Sequence, residues 1–105
     1  MMRAAKVFVC NDLAGTLTEL EFGRKYRFEY MSGYAGTPVS LTMPQSKPVY
    51  EFNSFPPFFD GLLPEGYQLE GLLKIGKIDR NDLFSQIIAV GDDLVGNVTI
   101  NEITS

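Results

Sequence analysis

The apolar residues of this chain follow one period in its first half and another in its second. In "YRFEYM", Tyr26, Phe28 and Tyr30 recur at every second position, which puts them on one face of a strand. Lys6–Cys10 is a short β-rich run closed by the turn formers "NDLAG", and Thr16–Phe22 carries Leu17, Leu20 and Phe22 as its apolar members. A turn at Gly23–Lys25 joins that run to the next. "PVSLTMP", Pro38–Pro44, reads as a further strand with Val39, Leu41 and Met43 on one side and prolines at its ends.

After about residue 54 the spacing becomes helical. Leu69, Leu72 and Leu73 share a stripe, with Pro64 suited to the first turn and Gly76 to the end. Asp79 is a predicted N-cap for a second helix, whose stripe is Leu83, Phe84, Ile87 and Ile88 and whose stop is Gly91. "NVTINEI" returns to strand character. Strands, then helices, then one closing strand predict an α+β fold. The expected sheet is antiparallel, open or curled towards a barrel, with two or three short helices packed at one side. At 105 residues the chain is expected to be a single domain, residues 1–105, large enough to bury a core without staples.

The composition excludes much chemistry. There is no His, so the commonest general base and metal ligand is missing, and Ser-His-Asp and Cys-His arrangements cannot be assembled. One cysteine and no His rule out the usual structural zinc sites within the chain. No phosphate-binding glycine loop or kinase signature is present. Cys10 cannot form an internal disulfide and is expected to be a packed core thiol, in keeping with a reducing, cytoplasmic setting. "GDD" at Gly91–Asp93 fits a turn better than a calcium loop. The formal net charge of −4 gives no electrostatic reason for direct binding to nucleic acid or membrane, and "GRKYR" reads as a solvated turn. No enzyme activity and no cofactor are expected.

Binding is the alternative to catalysis. Phe55, Phe58, Phe59, Leu62, Leu63 and Tyr67 crowd into "FPPFFDGLLPEGY", more apolar surface than one helical face and a turn readily bury. Exposed aromatics rimmed by polar residues mark interaction sites. Phe58 and Leu62, four apart, are expected to join sheet to helices, whereas Tyr67 is open to either role. Glu65 is placed in a first helical turn, where its charge suits the macrodipole. The candidate partner-binding residues are Phe58, Phe59, Leu62, Leu63, Glu65 and Tyr67.

"PVSLTMP", "FPPFFDGLLPEG" and "DLFSQIIAVGDDLVGNVTI" occur in the order and approximate spacing seen in the N-terminal subdomain of HipA-type toxins, which precedes a serine/threonine kinase core. The resemblance runs from about Gly33 to Ile100. This chain has "YQLEGL" where many relatives carry an arginine, and Gly96–Asn97 where they have Gly-Ala. A chain ending about where the kinase core would begin resembles the HipS-type antitoxins of tripartite HipBST systems. That resemblance implies a HipT-like kinase toxin as partner, a HipB-like DNA-binding protein reached through the complex, and Tyr67 near the kinase active site. A non-catalytic structural or activating subunit, and a stand-alone ligand-binding domain, are the other readings.

Overall fold

The computed structural model describes residues 3–92, 94 and 97–103. Its elements are β1 (Arg3–Val9), β2 (Asp12–Glu21), β3 (Lys25–Tyr30), β4 (Val49–Phe52), α1 (Pro57–Asp60), α2 (Gly66–Gly76), α3 (Leu83–Ala89) and β5 (Val98–Glu102). The five strands form one antiparallel sheet in the order β4-β3-β2-β1-β5. The sheet is open, with β4 and β5 as its edges, so it does not close into a barrel. Among the described residues, no helix is long and apolar enough to cross a membrane.

Alternation decides which face is covered. Ala5, Val7 and Val9 of β1, Leu17 of β2, Tyr26, Phe28 and Tyr30 of β3, and Val98 and Ile100 of β5 are all buried. Phe55, Phe59, Phe84 and Ile87 cap this face from the helical half. Phe28 meets the ring of Tyr30 edge-on at 4.9 Å between centroids, and Tyr26 meets Phe55 at 5.3 Å.

Three local expectations are corrected. Cys10 is exposed rather than packed, because β1 ends at Val9 and Cys10–Asn11 form a two-residue hairpin turn with positive φ at both positions. Pro38–Pro44 is a tied loop, not a strand. Val39 and Met43 are buried, but Leu41 is 99% exposed. The Tyr30 hydroxyl explains this: it donates to the Met43 carbonyl and accepts from the Val39 N–H, drawing both flanks inward and turning Leu41 out. The fourth strand is instead Val49–Phe52. Finally, α3 is capped by Asp82 rather than Asp79: the Asp82 side chain accepts from the Ser85 N–H, while Asp79 closes a turn onto the Asn81 N–H.

Asp82 also holds the N-terminal strand to the helices. The Arg3 guanidinium donates to Asp82 at 2.8 Å, to Ser85 at 2.8 Å and to the buried Glu19 at 2.7 Å, and it lies over the Phe84 ring. Tyr26 donates its hydroxyl to Glu19 at 2.9 Å, and burial together with that carboxylate holds the phenol far above its ordinary pKa. Burial alone would push the Asp82 carboxyl up; hydrogen bonds from Arg3 and Ser85 outweigh it and hold the carboxyl below its usual range. The folded chain therefore takes up this proton less readily than the unfolded one. The resulting stability is present above about pH 4 and is lost as pH falls through the depressed value. Asp82→Asn is expected to be about 1–2 kcal/mol less stable than wild type at neutral pH. Urea midpoints measured down a pH series should show that gap narrowing below about pH 4.

Candidate partner-binding surface

The crowded aromatic segment divides into an inner and an outer part. Pro57 occupies the first turn of α1, where its missing N–H costs nothing. That single turn lays Phe59 into the core, fully buried, with its ring 5.1 Å from Phe58 and 6.0 Å from Phe28. Phe55 is buried beside it. Phe59 therefore packs the core and offers no surface to a partner. Phe58, Leu62 and Leu63 are half-buried and lean on the core from outside.

The chain then turns sharply. Pro64 lies before the helix rather than in its first turn, and Glu65 is the N-cap, extended and without a side-chain capping bond. Gly66 takes φ +59, a left-handed conformation that a side chain would resist, and this lets α2 start abruptly. Its first side chain is Tyr67. Leu69, Leu72 and Leu73 face inward as half-buried residues, so Tyr67 lies on the opposite side of the helix and is 98% exposed. Glu65 is exposed beside it.

Gln68, the residue after Tyr67, lines a furrow of about 350 Å³ together with Leu62, Leu63, Pro64, Val90 and Leu94. A second furrow, about 270 Å³, shares Leu62 and continues past Phe58 to Pro38 and Val39. The segment thus brings together Phe58, Leu62 and Leu63 as a shallow apolar floor, with Glu65 and Tyr67 standing at one end.

Among the described residues, no group of three or more acidic or thiol side chains could hold a metal ion, and Asp93 of the "GDD" turn lies outside them. What the surface can do is make contact. An exposed aromatic beside an apolar furrow is the form a binding anchor takes.

A family model described as HipA N-terminal domain matches residues 5–101. The chain belongs to the HipA N-terminal domain family. An uncharacterised protein of Haemophilus influenzae (strain ATCC 51907 / DSM 11121 / KW20 / Rd) is 30% identical over 102 residues, covering 97% of this chain and 94% of the relative. A solved structure described as the N-terminal domain of HipA toxin superposes with a TM-score of 0.75 at 28% identity, covering 98% of this chain and 94% of that one. The HipA N-terminal domain is non-catalytic, and the family ties this chain to toxin–antitoxin biology.

Ile75 is an exposed apolar residue that the sequence pattern did not single out. For Ile75 a signal existed. It lies eight residues after Tyr67, off the Leu69–Leu72–Leu73 stripe, and so belongs to the outer side of a HipA N-terminal-type α2.

Proposed function

We propose that this chain is an antitoxin that binds and inhibits a HipT-like serine/threonine kinase toxin, in a complex that also contains a HipB-like DNA-binding protein. The observation that carries the reading is Tyr67. A tyrosine almost wholly in water, at the start of a helix whose leucines Leu69, Leu72 and Leu73 turn inward, has no role in the core. Membership of the HipA N-terminal domain family supplies the toxin–antitoxin setting.

The mechanism follows from anchor and furrow. The kinase covers Leu62 and Leu63, and Tyr67 enters a pocket on the kinase close to where ATP or protein substrate binds. Truncating a well-seated aromatic anchor costs about 2 kcal/mol or more, roughly 30-fold in Kd. Calorimetric titration of a HipT-like kinase from the same genome with Tyr67→Ala is expected to show that loss, with the melting temperature of the variant unchanged. Equal affinity for both proteins would remove Tyr67 as the anchor. No binding by the wild type would end the proposal, and kinase activity that rises on binding would favour an activating subunit.

A further inference from the structure

The outer side of α2 has a shape that neither its packing nor its helix propensity explains. Tyr67 and Ile75 stand 98% and 87% exposed, and Gly71 lies midway between them, four residues from each. A Cβ built on Gly71 would meet nothing within 4 Å, so internal packing does not require glycine there. Glycine is also among the poorest residues for a helix interior. The sequence therefore accepts a weakened helix and leaves a gap between two exposed apolar side chains. Along the axis those side chains stand about 12 Å apart, close to the diameter of one α-helix.

Glu65 stands at the start of the ridge, but beyond Gly71 the unpaired charges of α2 are positive. Glu70 is held by Arg80, with 2.8 Å between a guanidinium nitrogen and a carboxylate oxygen. Lys74, three residues after Gly71 on the same side, and Lys77 at the C-cap are exposed and make no ion pair among the described residues. In a chain of net charge −4 this end of α2 is locally positive. An element seated here is complementary when it is narrow, apolar on its contact side and acidic at its margin.

We propose that the outer ridge of α2 seats an acidic α-helix of the kinase partner, crossing over Gly71 between Tyr67 and Ile75 with its carboxylates near Lys74 and Lys77. The proposal rests on the reading of this chain as a kinase-binding antitoxin and names the element that reading leaves open. Glycine at position 71 lets the two helix backbones approach closely, while the flanking side chains fix the crossing point.

Stability and binding should move in opposite directions. Gly71→Ala is expected to raise the Tm by a few degrees, through helix propensity, while weakening binding to the HipT-like kinase about threefold. Gly71→Gln, with a longer side chain in the gap and better helix propensity than glycine, is expected to weaken it at least about tenfold without lowering the Tm. Lys74→Glu should cost about tenfold and flatten the dependence of Kd on salt. If wild type binds the kinase and Gly71→Gln binds equally tightly, the helix seat is wrong while the antitoxin reading stands. If wild type does not bind, both fall. Self-association of the chain that Gly71→Gln abolishes would give the ridge to a second copy and overturn the proposal.

Discussion

Replacing Phe59 by alanine is expected to destabilise the protein by about 3–5 kcal/mol, a large share of the total stability of a chain this size. Phe59 is fully buried and touches the rings of Phe28 and Phe58, so its removal leaves a cavity between α1 and the centre of β3. Neighbouring backbone is fixed by the sheet on one side and by a single helical turn on the other, which limits collapse into the space. Urea denaturation should show a fall in midpoint at nearly unchanged slope. Tyr67→Ala, eight residues along, should stay within about 0.5 kcal/mol of wild type. The contrast separates residues that build the segment from those that face outward. A Phe59→Ala protein as stable as wild type would mean that α1 is not packed as described.

Gly91→Ala has the other large expected effect on stability. Gly91 follows α3 and its carbonyl accepts from the Ile100 N–H at 3.0 Å. A Cβ at position 91 would lie 1.9 Å from the Ile100 carbonyl oxygen and 2.9 Å from its carbon. Both obstacles are backbone atoms of β5 that cannot rotate aside, so β5 must shift from β1 or the α3 terminus must move. A cost on the order of 3 kcal/mol is expected. Amide hydrogen exchange should localise it to Val98–Glu102, the edge strand that loses its seat. Unchanged protection there would contradict the contact.

Glycine was legible at position 91 as a helix stop, but its closeness to Ile100 joins residues nine apart that only the folded chain brings together. The same division holds elsewhere. β1, β3 and β5 were legible because burial of one sheet face imposes a period of two, and α2 and α3 because their inner sides impose helical spacing. β2 was legible only from Thr16: its first residues, Asp12–Gly15, were expected as a turn, and its buried face continues from Leu17 to Glu19 rather than to Leu20 and Phe22. β4 was not. It is four residues long, at an edge, with Val49, Tyr50 and Phe52 only half-buried, whereas Val39, Leu41 and Met43 offered a better pattern nearby. That pattern was made by the Tyr30 hydroxyl gripping a loop at two points, a long-range contact that leaves no period. At the candidate site, sequence found the segment but not its division into core and surface. The exposure of Tyr67 depends on where α2 begins, and that is set by the left-handed turn at Gly66 rather than by Pro64.

The most direct test of the antitoxin reading is phosphorylation by the HipT-like kinase with this chain titrated in and Tyr67→Ala run beside it. The account predicts that wild type suppresses phosphorylation to completion near stoichiometric addition. It also predicts that the variant needs roughly 30-fold more for the same effect, the loss expected for one aromatic anchor. Phosphorylation that is unchanged or stimulated by the wild-type chain would contradict it and leave a structural or activating subunit in its place.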